Sequence, residues 1–147
     1  MEWNWRAIVI WELTCKGCGL KKLDLSKNKE LEQVSCSNNL LKEVDIRKNT
    51  EITRFSCANN KFKKDFSTVK LNKNLGKLNC KGNGLVKLDL SKLKRLKILD
   101  CSHNKIKTLK TGNKIKSLNC SYNRLKKLNH VEIYNHEGGI EYVLNNE

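Results

Sequence analysis

Apolar residues recur along this chain in pairs two positions apart, as in Leu13/Cys15, Val34/Cys36 and Leu78/Cys80. A second set, Leu23/Leu25, Val44/Ile46 and Leu88/Leu90, falls about halfway between the first. A spacing of two is the period of a strand with one buried face. The pairs themselves return on a longer beat. Cys15, Cys36, Cys57, Cys80, Cys101 and Cys120 are 21, 21, 23, 21 and 19 residues apart. Self-similarity of that length marks a solenoid of stacked coils.

Counting from each ladder cysteine brings the rest of the unit into register. Three residues on stand Cys18, Asn39, Asn60, Asn83, Asn104 and Asn123, and five on stand Leu20, Leu41, Phe62, Leu85, Ile106 and Leu125. Leu23, Val44, Leu88, Leu109 and Leu128 follow at the eighth position, then Leu31, Ile52 and Leu96 at the sixteenth. Each half-unit is too short, and too interrupted by Asn, Gly and Ser, for an amphipathic helix. The pattern predicts about six stacked coils with parallel β-strands on two sides and little helix. No coil can bury its apolar side alone, so its neighbours supply the core.

The shared phrase L-x-x-L-x-C-x-x-N-x-L-x-x-L-D-L-S-K-N-x-x resembles the leucine-rich-repeat family, in particular its 21-residue nested bacterial type, where two similar half-units alternate. The resemblance runs from about Ile10 to His130. It implies a leucine-rich-repeat solenoid that binds other molecules, usually proteins, and has no chemistry of its own.

Departures from the repeat divide the chain. Residues 1–9 precede it as an N-terminal cap segment, 10–130 carry the repeats, and 131–147 read as a strand-turn-strand cap. In the third coil Asp65 takes a slot that is leucine or valine elsewhere. A lone carboxylate in an apolar core is costly, so Phe66 is expected to turn inward and the extra residues to bulge around Ser67 to Asn74. The fifth coil is two residues short around Thr111 to Asn113.

Charge changes the picture on the outer surface. The formal net charge is +15, and 25 of the 30 basic residues are lysine. Residues 74–130 hold 15 Lys/Arg against Asp89 and Asp100, a balance of +13, whereas 131–147 carry four glutamates and no base. Such density attracts nucleic acid, anionic membrane or acidic protein. Lysine and asparagine also share A/T-rich codons, a rival cause of the excess, and exposed lysines keep strand edges soluble. No stretch approaches a membrane span. The short apolar run Ala7 to Trp11, flanked by Glu2 and Glu12, lacks the form of a secretory signal. Trp3, Trp5 and Trp11 suit a cover for the first coil. With seven cysteines, an odd number, reduced thiols and a cytoplasmic location are expected.

Candidate chemistry is sparse. Cys15-x-x-Cys18 lacks a second ligand pair for zinc, and the repeat accounts for both residues. His103, His130 and His136 are scattered. No catalytic residue, metal site or cofactor is assigned. Cys15, Cys36, Cys57, Cys80, Cys101 and Cys120 are read as inward-facing apolar groups, since cysteine is among the most buried residue types. Asn39, Asn60, Asn83, Asn104 and Asn123 are read as pairing with main-chain groups of the turns.

Two outward rows remain. Thr14, Ser35, Ser56, Asn79, Asp100 and Asn119 form a small polar row on the first strands and are the candidate partner-binding residues. Lys21, Lys22, Lys42, Lys63, Lys64, Lys87, Lys107, Lys126 and Lys127 form a candidate electrostatic ridge, partly neutralised by Asp24, Asp45 and Asp89. The leading reading is a non-enzymatic scaffold that binds a protein on the strand-lined face. Its rivals are an electrostatic binder of nucleic acid or anionic membrane, and a piece of a longer surface or effector protein. Few arginines, and no aromatics interleaved with the lysines, speak against sequence-specific nucleic-acid readout.

Overall fold

The computed structural model describes residues 9–125 and 141–143. Within them the chain is a leucine-rich-repeat-like solenoid of parallel strands without helix. The strands are β1 (Glu12–Thr14), β2 (Gln33–Ser35), β3 (Val44–Asp45), β4 (Arg54–Ser56), β5 (Val69–Lys70), β6 (Lys77–Asn79), β7 (Lys87–Asp89), β8 (Ile98–Asp100), β9 (Thr108–Lys110), β10 (Ser117–Asn119) and β11 (Glu141–Val143). One seven-stranded sheet runs along one side in the order β1-β2-β4-β6-β8-β10-β11. Every pairing is parallel and in register, so Val34, Phe55, Leu78, Leu99 and Leu118 stand side by side on the inner face. The expected N-terminal cap, except for Val9, and most of the C-terminal cap lie outside the described residues. Of the latter, β11 joins β10 as a further parallel strand.

The core is the set of positions that the repeat marks as apolar. Cys36, Cys57, Cys80, Cys101 and Cys120 are buried together with Leu41, Leu85, Ile106, Ile52 and Leu96. Each fully buried aliphatic side chain contributes about 1.5–3 kcal/mol, and coils on both sides provide its contacts. The first coil has a neighbour on one side only among the described residues. Accordingly Leu13, Cys15, Leu20 and Leu23 are only partly buried.

The second side departs from expectation. It carries two separate pairs, β3-β5 and β7-β9, not one continuous sheet. Leu23–Leu25 does not form a strand, although the second coil still meets it there through the Asn49 side-chain amide, which donates to the Leu25 carbonyl at 2.8 Å. The other break comes from the third coil. Phe66 does turn inward, packing edge-on against Phe62 with centroids 5.9 Å apart, while Asp65 stays exposed. The bulge lies earlier than the sequence suggested. Val44 follows Cys36 by 8 residues, whereas its register partner Val69 follows Cys57 by 12. The extra length therefore precedes β5, at Lys63–Thr68. The Lys64 carbonyl accepts the amides of Val86 and Lys87, so the bulge occupies the edge that β7 would have offered to β5.

The shortened fifth coil lies close on its predecessor. A Cβ added at Gly112 would sit 3.0 Å from the Leu93 carbonyl oxygen, so the missing residues are made up by a turn pressed onto the coil below.

Every coil leaves the main sheet through a residue in the left-handed region two positions after its ladder cysteine. These are Gly17, Asn38, Asn59, Gly82, His103 and Tyr122, with φ of 69°, 57°, 52°, 67°, 53° and 54°. That reversal swings the next residue, usually asparagine, into the turn. Glycine and asparagine tolerate this conformation, histidine is found in it more often than most side chains, and tyrosine occupies it at a cost.

Candidate functional site

The asparagine ladder is a continuous polar spine. Asn83 Nδ2 donates to the Cys57 and Cys80 carbonyls at 3.1 and 3.0 Å, and its Oδ1 accepts the Asn60 amide at 2.9 Å. Asn39, Asn60, Asn104 and Asn123 repeat the arrangement, each donating to its own ladder cysteine's carbonyl and to the preceding one. One amide thereby satisfies main-chain groups of two coils, which is why asparagine suits a buried turn. Cys18, at the same slot in the first coil, is exposed, and its thiol faces the Lys16 carbonyl.

The ladder thiols line the core as free cysteines, five buried and Cys15 half-buried. In-register parallel strands point like side chains the same way, the wrong geometry for a disulfide. Cys36 instead donates to the Ser56 carbonyl at 3.6 Å. Burial, with the neighbouring Cys15 adding to it, pushes its pKa up to about 12. Burial likewise holds Cys57, Cys80 and Cys101 well above the ordinary thiol range. Reactivity needs thiolate, so these groups are chemically quiet. Among the described residues, no group of three or more His, Cys, Asp or Glu converges as a metal site.

The outer face of the main sheet has two columns. The polar row singled out in the sequence is one, with Ser35, Ser56, Asn79, Asp100 and Asn119 half-buried and Thr14 exposed. Much of its bonding capacity is turned inward. Asp100 Oδ1 accepts the Ser102 amide and hydroxyl at 3.0 and 2.6 Å, and Asn119 Oδ1 accepts those of Ser121 at 3.2 and 2.7 Å. Asn79 Oδ1 accepts the Lys81 amide, and Ser56 Oγ pairs with Ser37 Oγ at 2.8 Å. These side chains brace the exit turns as well as facing outward.

The other column was missed: Glu12, Gln33, Arg54, Lys77, Ile98 and Ser117, in register across β1, β2, β4, β6, β8 and β10. A count three residues back from each ladder cysteine would have found it. Its chemistry runs from acidic to amide, basic at two successive coils, apolar and then hydroxyl, while the inner positions stay apolar throughout. Gln33, Arg54 and Lys77 line a shallow cleft of about 290 Å³ with Ser35, Ser56 and Asn79. Arg54 Nη1 reaches Gln33 Oε1 at 3.4 Å.

On the second side Lys21, Lys22, Lys42, Lys63, Lys64, Lys87 and Lys107 are all exposed. Lys126 and Lys127 lie outside the described residues. Lys64 stands next to Lys87, whose amide its carbonyl accepts at 3.2 Å. Asp45 stands opposite Lys70, and Asp89 opposite Lys110, as cross-strand partners. Asp45 also bonds Arg47 through two oxygens, the one ion pair among the described residues, which holds its pKa down at about 2. Asp24 and Asp89 are lowered by bonds from Ser26 and Ser91.

No helix among the described residues is long and apolar enough to cross a membrane. No family model matches the chain, and no curated protein matches it. Among solved structures it is similar to the functional domain of InlJ from Listeria monocytogenes, which includes a cysteine ladder. The identity is 22%, the TM-score 0.38, and the match covers 82% of this chain but 41% of that one.

Proposed function

We propose that this chain is a non-enzymatic recognition scaffold that binds a protein partner on the outer face of its main sheet. The observation that carries the reading is the contrast between faces. Inner positions repeat the same few residues because stacking demands it, while the outward column of Glu12, Gln33, Arg54, Lys77 and Ile98 differs at every coil. A rigid backbone presenting a varied row suits shape and charge complementarity. Arg54 and Lys77, adjacent on β4 and β6 beside a shallow cleft, are the residues placed to meet an acidic feature of the partner.

The polar row Ser35, Ser56, Asn79 and Asp100 supplies the rim of that surface through the oxygens and nitrogens not used in the turns. The lysine ridge then serves solubility and general attraction on the opposite side. A photo-reactive side chain placed at Ser56 or Lys77 should crosslink the partner, and one at Lys107 should not. Arg54→Glu with Lys77→Glu should abolish capture, while Lys21→Glu with Lys42→Glu leaves it intact. The reverse pattern would move the binding surface to the ridge and overturn the reading.

A further inference from the structure

We infer that the exit-turn edge around Gly82, His103 and Tyr122 is a stacking site for an unpaired base of a single-stranded nucleic acid. The inference is independent of protein binding on the sheet face.

His103 and Tyr122 come from successive coils, and the fold lays their rings parallel. The centroids are 4.3 Å apart, the planes are inclined by 24°, and both residues are exposed, Tyr122 by 48%. The spacing is close to that of adjacent strands, so the ring stack continues the coil repeat. In the coil before His103 the same position is Gly82, which carries no side chain. The Gly82 amide donates to the Ser102 carbonyl, and the His103 amide to the Ser121 carbonyl. One face of the imidazole therefore meets tyrosine, and the other meets the space above the glycine.

The far side of that space has a polar boundary. A Cβ on Gly82 would fall 2.0 Å from Asn59 Oδ1, so the Asn59 amide leans toward the glycine. Its Nδ2 is already given to Asn38 Oδ1 at 2.7 Å, leaving the oxygen as an acceptor. The gap over Gly82 is thus bounded by an imidazole face on one side and an amide oxygen on the other, with room for the face of a flat ring against the imidazole.

Backbone conformation points the same way. His103 and Tyr122 hold rings at φ of 53° and 54°, where the other coils use asparagine or glycine. Phe66 holds a ring at φ of 61° because the core packs it, whereas the exposed rings of His103 and Tyr122 have no burial to keep them there. The local charge is of one sign: Lys81, Lys105 and Arg124 lie within two residues of Gly82, His103 or Tyr122, and no acid does. Asp100, the next acid along the chain, is bonded to Ser102. Bases stack on aromatic faces with little sequence preference while cations follow the phosphates, and single strands present their bases unpaired.

The test compares a labelled 12-nucleotide thymidine strand with an abasic strand of equal length, by fluorescence anisotropy at one salt concentration. The thymidine strand should bind roughly ten-fold more tightly. His103→Asn and Tyr122→Asn should each remove that preference without weakening abasic binding. Asparagine is the native residue at this left-handed position in two other coils, so the turn is kept. Tyr122→Phe should retain the preference. Independently, a strand carrying 5-iodouracil should photo-crosslink to the peptide containing Tyr122 or His103. Equal binding of the two strands would reduce the interaction to charge alone and overturn the inference. So would a preference that survives both asparagine variants, or crosslinks found only elsewhere.

Discussion

Replacing Asn104 by alanine should destabilise the solenoid more than the same change at Asn83, although the two occupy the same slot of adjacent coils. Asn104 Oδ1 accepts two buried amides, those of Asn83 and Leu85, at 2.9 and 3.0 Å. Asn83 Oδ1 accepts one, from Asn60. The carbonyls that each Nδ2 serves are less exposed to loss, because they are shared. Cys80 O would keep Asn83, and Cys101 O would keep Asn123, when Asn104 is removed. The difference therefore rests on orphaned amides, each costing about 1–3 kcal/mol when buried without a partner. Asn104→Ala should then cost about 2–6 kcal/mol and Asn83→Ala about 1–3 kcal/mol. Either is a large part of a domain's net stability of roughly 5–15 kcal/mol. Urea unfolding followed by circular dichroism gives both values from the midpoints, provided the slopes stay equal. A midpoint for Asn104→Ala at or above that of Asn83→Ala would refute the count of orphaned donors.

Stability should also fall on the alkaline side. A thiol whose folded pKa lies above its unfolded value stabilises fully below the unfolded value of 9.0, and the contribution is lost as pH rises through the window up to about 12 for Cys36. At pH 10 that one group costs about 1.4 kcal/mol, and Cys57, Cys80 and Cys101 act in the same direction. A Cys36→Ala variant should lose less stability between pH 8 and 10 than the parent; parallel curves would contradict buried neutral thiols. Gly82→Ala should cost about 1 kcal/mol from its positive φ, plus displacement of Asn59, whose oxygen a Cβ would meet. Made in an Asn59→Ala background, which carries its own cost at φ of 52°, Gly82→Ala should lose only the backbone part, so the step between those two unfolding curves should be smaller. Arg47→Ala should let the Asp45 pKa rise from about 2 toward its ordinary value in an NMR titration. Because the pair is exposed, the unfolding midpoint should hardly move.

The inward half of this molecule was legible residue by residue. Leu41, Leu85, Ile106 and the asparagines stand at fixed offsets from the ladder cysteines, and parallel in-register stacking turns each such offset into a buried row. The identity of Phe66 as the buried residue at the irregular coil followed from the cost of burying Asp65. The fate of the second side did not follow. Whether β5 pairs with β7 depends on where a bulge finds hydrogen-bond partners, and the Lys64 carbonyl finds them on Val86 and Lys87, far away in sequence.

By itself, then, the sequence determined the period, the buried face of each main strand and the ladders that run through the stack. Those features are set by local alternation and by the need of every coil to match its neighbour. Only the tertiary structure decided how outward side chains at matching offsets meet: Arg54 reaches Gln33 across the sheet, and the His103 and Tyr122 rings lie parallel with centroids 4.3 Å apart at the turn edge. The repeat fixes which outward positions are neighbours but not how their side chains turn, because a side chain facing solvent need not match its neighbour for the coils to stack. Those contacts exist only once coils 19 to 23 residues long are laid one upon another.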